Sequence, residues 1–269
     1  MRYRVEGLSK LCISNMGLLE NIIPNILWDA IKGIFGAIPR AISNYKFKRF
    51  FGQQAIDSDK VFIVLDPYEH PVSRERLTAG QNRFVKNFHG RKQNAALIGE
   101  DKLLGSCSVR VTKYSVSEFA LFGQKTNPVK VVLDESVINN WEGTFICFGS
   151  SDSNIKTYDI ESLPENNLYS FSFGQNGTRR FNIRGDNYTI DDSGDVGVLM
   201  RLQNPYHNSH KLFICAGIGE WGTSGAAYYL FKNWRQLNKR FGSKTNFVLV
   251  IKVDFYSDES AREIREYKV

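Results

Sequence analysis

Two short stretches carry the residue types that could meet a ligand: FGSSDSN (Phe148 to Asn154) and AGIGEWGTSG (Ala216 to Gly225). Each follows an apolar run containing the same triplet, FIC, and each leads into a helix-like pattern. Glycine lets the backbone approach a phosphate or sugar, and hydroxyl and amide side chains supply donors. The candidate binding residues are therefore Gly149, Ser150, Ser151, Ser153 and Asn154 in the first stretch, and Gly217, Gly219, Gly222, Thr223 and Ser224 in the second. Trp221 adds a ring on which a base could stack. Asp152 and Glu220 are the candidate catalytic residues, because cleaving an N-glycosidic bond needs a carboxylate to attack or stabilise the sugar carbon. The plainer alternative makes Asp152 a helix cap and Glu220 a solvated loop residue.

Gly217, Gly219 and Gly222 spell G-x-G-x-x-G between a strand-like and a helix-like segment, the context of a dinucleotide fingerprint. Position argues against that reading. Only 58 residues remain from Leu212 onward, too few for a two-fold βαβαβ unit, and Asp254 lies 32 residues after Gly222 where the ribose-binding acid is expected about 20 residues on. A nucleotide-type small molecule or a simple strand-to-helix turn remain as readings.

Other chemistry is sparse. Cys12, Cys107, Cys147 and Cys215 have no C-x-x-C spacing, and Cys147 and Cys215 sit in apolar runs where thiols behave as small hydrophobes, which suits a reducing compartment. His207 and His210 form H-x-x-H without a third ligand nearby. No metal and no resident cofactor are expected. The basic cluster Lys86, His89, Arg91, Lys92 is either a phosphate-closing loop or a solvated one.

The elements that must position the two stretches form an α/β pattern. Apolar strands are expected at Val61 to Leu65, Val129 to Asp134, Gly143 to Gly149, Leu212 to Ala216 and Phe247 to Val253, and helices at Leu103 to Phe122, from Ile155, and at Thr223 to Phe241. Strands that are apolar throughout and alternate with helices predict a mostly parallel sheet covered on both faces, a Rossmann-like three-layer sandwich over residues 52–269. Residues 168–202 read as an antiparallel extension, and the chain from Asp258 as a charged helical tail. In such sheets ligands bind beyond the carboxyl ends of the strands, so if the two FIC strands are neighbours their loops face one crevice.

The net charge is +7, but residues 1–50 hold eight Lys/Arg against three acids, leaving the rest nearly balanced. A nucleic-acid partner is therefore not expected. From Leu18 to Ile42 apolar pairs recur about every four residues, the stripe of an amphipathic helix bounded or kinked by Pro24 and Pro39. Lys46, Phe47, Lys48, Arg49, Phe50 and Phe51 follow as a basic and aromatic junction, so residues 1–51 read as a separate N-terminal segment. Residues 18–51 could meet a membrane, lying in its interface or spanning it, or could pack on the chain itself or on a second copy. A cytoplasmic protein associated with the inner membrane and a homo-oligomer are the expectations.

The combination FGSSDSNIKT with GVLMRLQNPYHNSHKLFICAGIGEWGTSGAA resembles a pattern in prokaryotic Rossmann-like proteins preceded by an apolar N-terminal helix and a basic-aromatic junction. At fold level the chain is also similar to nucleoside deoxyribosyltransferase-like, nucleotide-sensing domains. The resemblance implies a nucleotide-derived ligand. Three functions stay open: a ligand sensor coupled to its N-terminal helix, of a shape that suits bacterial stress or antiphage defence; a membrane-tethered enzyme cleaving a nucleoside, nucleotide or NAD; and a structural assembly protein.

Overall fold

The computed structural model describes residues 41–53, 55–56, 60–66, 68–69, 102–122, 129–174 and 177–268. The expected helix over residues 18–42 lies outside them except for its last two residues, and the basic cluster Lys86 to Lys92 lies wholly outside them. By its contacts the chain divides into Met1–Tyr45 and Lys46–Val269. Residues 41–51 are helical (α1).

In the larger unit a seven-stranded sheet forms from β1 (Val61–Leu65), β4 (Lys130–Leu133), β5 (Thr144–Phe148), β9 (Asp195–Gln203), β10 (Lys211–Gly217), β11 (Phe247–Val253) and β12 (Arg262–Lys268). Its order is β12-β11-β9-β10-β5-β1-β4. The β10-β5-β1-β4 half is parallel; β9 pairs antiparallel with β10 and β11, and β12 antiparallel with β11. Five of the seven strands thus point one way. β2 (Tyr68–Glu69) and β3 (Lys102–Leu103) make a short antiparallel pair.

One face of the sheet is covered by residues 46–51 of α1, by α2 (Ser106–Leu121) and by α4 (Glu220–Phe241), the other by α3 (Ile155–Glu161) and a separate three-stranded sheet of β6 (Tyr169–Phe173), β7 (Arg179–Ile183) and β8 (Asp186–Tyr188). The central strands are buried on both faces, which is why β1, β5, β10 and β11 read as mainly apolar runs, their only charges being Lys211 and Lys252 near strand ends.

Two expectations are corrected. Residues 168–202 do not form one extension: β6 to β8 leave the main sheet, while β9 enters its interior between β10 and β11. The tail from Asp258 is not a helix but a 3-10 turn, Asp258–Ser260, followed by edge strand β12. Its charges mimic a solvated helix because an edge strand keeps one row exposed. Glu263 of that strand instead holds Arg240 of α4 through paired hydrogen bonds of 2.7 and 2.6 Å.

The aromatic half of the junction is spent on the core. Phe47, Phe50 and Phe51 are fully buried; Phe47 stacks on Phe122 (4.4 Å between centroids) and meets Phe119 and Trp234 edge-on. Lys46, just before them, and Arg49, among them, stay exposed. Phe47→Ala should lower stability by about 3–5 kcal/mol, as large aromatic-to-alanine core substitutions do, in a urea unfolding experiment.

Candidate functional site

β5 and β10 are adjacent parallel strands, so the loops that follow them emerge at the same sheet edge. β1, on the other side of β5, ends there too and is followed by Asp66. The three connections enclose a cavity of about 270 Å³, lined by Asp66, by Gly149, Ser150, Asp152 and Ser153, and by Gly217, Ile218, Gly219, Glu220 and Thr223. Cys107, Ser108 and Val111 of α2 close one side, and Arg179 of β7 reaches in from the small sheet. The cavity stands where the order of strands reverses, since β1 has β4 on one side and β5 on the other; open α/β sheets hold their ligands at such a point.

The first loop is rigid by construction. Gly149 has φ +109, and a Cβ there would lie 2.8 Å from Ser153 Oγ. Asn154 caps α3: its Oδ1 accepts the Thr157 N–H at 3.0 Å, and its amide donates to the Phe148 carbonyl at 3.0 Å. Ser150 Oγ donates to Asp152 Oδ1 at 2.5 Å. Asp152, almost fully buried, then pairs with Arg179 Nη2 at 2.7 Å. The other arm of the guanidinium donates to the Ile218 carbonyl at 3.2 Å, so Arg179 ties the two loops together.

The second loop answers the question its glycines raise. Gly197 of β9 pairs with Gly217 of β10, and the first turn of α4 rests on both. A Cβ on Gly217 would come within 2.2 Å of the Thr223 nitrogen, and one on Gly222 within 2.4 Å of the Val196 carbonyl oxygen. Only bare backbone lets the helix come this close. The approach delivers its amino end to Asp195, which is 1% exposed at the start of β9. Asp195 Oδ1 accepts the Gly219 N–H at 3.1 Å and the Val196 N–H at 2.7 Å, and Oδ2 accepts the Gly222 N–H at 2.7 Å. A fixed carboxylate thus sits where a phosphate would bind at a helix amino end. Burial pushes the Asp195 carboxyl above its usual range, against the pull of these three donors.

Of the sequence candidates, Gly149, Ser150, Asp152, Ser153, Gly217, Gly219, Glu220 and Thr223 line the cavity; Ser151, Asn154, Trp221, Gly222 and Ser224 are not among its lining. Ser151 bonds to Glu161 of α3. Trp221 faces the Arg110 guanidinium, 4.1 Å from its ring centre, and the hydroxyl of Ser224 donates to buried Asp258. Gly222 belongs to the helix–sheet contact just described. Glu220 is the more open carboxylate, 43% exposed, and accepts from Ser106 Oγ at 3.0 Å. Sequence reasoning missed Asp66, Arg179 and Asp195. The first follows an obvious strand and was findable as such; the other two reach the site only through the fold.

Burial pushes the Cys107 thiol up to about 12, so it is no nucleophile at neutral pH. His207 and His210 lie with ring centroids 6.0 Å apart, and among the described residues no three or more metal-binding side chains gather. Among them, too, no helix is long and apolar enough to cross a membrane. No protein-family model matches the chain, and no curated protein matches it either.

Asp195→Ala removes the acceptor of the Gly219 N–H and of the buried Gly222 N–H and should cost about 2–4 kcal/mol in urea unfolding. Burial pushes Glu161 up to about 7 from an ordinary 4.5. The folded chain therefore keeps this proton over a range where the unfolded chain loses it. The contribution is complete below about pH 4.5 and is lost as the pH rises through 7. Glu161→Gln should remove that part of the decline when urea midpoints are measured from pH 4.5 to 8.

Proposed function

We propose that the larger unit binds a small, hydroxyl-rich molecule of nucleoside type in the cavity at the carboxyl ends of β1, β5 and β10. The observation that carries this reading is that both loops and Asp66 line one cavity. In this functional sense the fold is Rossmann-like, with its crevice at the reversal of strand order. At about 270 Å³ the cavity is near the lower end of the usual range, roughly 300–1,000 Å³, which suits a nucleoside and not a dinucleotide. Charge favours the same class. Among the described residues, Asp66, Asp152 and Glu220 line the wall against one cation, Arg179, already paired with Asp152, and Asp195 occupies the helix end. Carboxylates accept from sugar hydroxyls and repel phosphate.

The role proposed is that of a sensor. α2 and α4 both line the cavity near their amino ends, and both grip the junction further along, through Phe119 and Phe231 with Trp234 against Phe47 and Phe51. A ligand that favours one packing of α2 against α4 therefore acts on α1 and, along the chain, on residues 18–45. Membrane association, self-association and a bacterial defence role are the proposed outputs of that segment.

Enzymatic cleavage of an N-glycosidic bond is the second reading, favoured by Asp152 and Glu220 standing on opposite loops of one cavity. Asp152 is the weaker nucleophile of the two, since Ser150 and Arg179 already engage it.

Thermal unfolding of the full chain with adenosine, inosine, guanosine, cytidine, uridine and free ribose, followed by product analysis, separates the readings. A nucleoside that raises Tm by several degrees and is recovered intact supports the sensor. Recovery of free base and sugar, lost in Glu220→Gln, supports the enzyme. No shift and no product with any of them contradicts both.

A further inference from the structure

A second cavity, of about 460 Å³, opens at the opposite end of the sheet, where β10 and β11 begin and β9 ends. Lys48 and Arg49 of α1, Lys211 of β10 and Lys244 before β11 line it, with Gln203 and Ser243 among the neutral residues between them. Among the described residues, no carboxylate is part of the lining. The cavity that takes the proposed nucleoside has three.

Two of the cations at this end are buried. Lys211, 6% exposed, donates from Nζ to the Ser243 carbonyl at 2.6 Å and to the Gln203 side chain. Arg201, 1% exposed, lies two residues before Gln203 on β9, its guanidinium carbon 4.9 Å from the ring centres of both Phe50 and Phe247. Its Nη2 donates to the carbonyl of Thr245, next to Lys244, while buried Nη1 has no hydrogen-bond partner. The acceptors of both cations are neutral.

Burying positive charge against neutral partners is costly, and stability alone would favour apolar residues at both positions. Burial pushes Arg201 down to about 9; burial and the charge of Arg201 push Lys211 down to about 8. Both still carry their charge at neutral pH. Exposed Arg49 adds a further cation at the mouth. An anion in the cavity offsets this accumulated charge, and phosphate oxygens match the forked guanidinium and the ammonium donors.

We infer that this cavity is a binding site for a ligand carrying two or more phosphate groups, held by Arg49, Lys244 and Lys211, with the Arg201 guanidinium supplying positive potential from behind. The multiplicity follows from several cations spread around a volume well above that of one phosphate. The phosphates belong either to one soluble polyphosphorylated molecule or to adjacent anionic phospholipids, which present one phosphate each.

The test uses the full chain and two probes, tripolyphosphate in solution and phosphatidylcholine vesicles with or without phosphatidylglycerol. The control is Arg49→Gln/Lys244→Gln, whose exposed substitutions spare the core. At an excess of about a hundred-fold over its dissociation constant, tripolyphosphate should raise Tm by about 5 °C at matched ionic strength, and the double variant should lose most of this. If instead only phosphatidylglycerol vesicles retain the protein, and the double variant floats free, the phosphates are those of lipid. No response to either probe, or a response unchanged in the double variant, overturns the site. Nucleosides carry no phosphate, so this outcome is independent of the first cavity.

Discussion

The contact on which the rest depends is that of the Asp195 carboxylate with the amino end of α4. It needs a helix seated directly on a sheet, which needs Gly197, Gly217 and Gly222 with no side chains between them. Once made, it fixes the turn after β10, and with it the positions of Gly219, Glu220 and Thr223 on the cavity wall. It also settles what the G-x-G-x-x-G spacing does here. The glycines bring backbone to an acid of the same chain, and an anionic ligand has no vacancy at those two amides.

Arg179 is the counterpart of Asp195 on the open side. It stands on a strand outside the main sheet and binds one loop through Asp152 and the other through the Ile218 carbonyl. A guanidinium suits this position because its two arms lie in one plane and reach two acceptors at once. Both loops are thus held in place by contacts within the chain.

Much of the fold was legible because burial on both faces writes itself as an apolar run. FICFG and FICAG announced two central strands, and their likeness suggested that the loops after them share a crevice. The Asp258 tail was not legible, since charges on an edge strand and on a solvated helix look alike; only pairing with β11 decides between them. Half the candidate site was readable for a similar reason. Ser150, Asp152 and Glu220 lie in loops where polar residues stand out, whereas Arg179 and Asp195 act across sequence distances that no local pattern records. Trp221 and Ser224 show the converse: both sit beside the glycines, and the rotation of α4 turns both toward a polar cluster around Arg110 and Asp258.

Among the described residues the two cavities differ in sign, carboxylates predominating in one and cations in the other, with α1 contributing to the cationic cavity and gripped by the helices that line the acidic one. The central claim is that the two loops form one site while Asp195 holds the glycine turn. Backbone amide NMR during a titration with adenosine or another stabilising nucleoside tests it most directly. The account predicts that Gly149, Ser150, Gly217 and Glu220 shift together with one dissociation constant while the Gly222 amide, bound to Asp195, stays in place. Movement confined to one loop, or a Gly222 amide that leaves its carboxylate for the ligand, would contradict it.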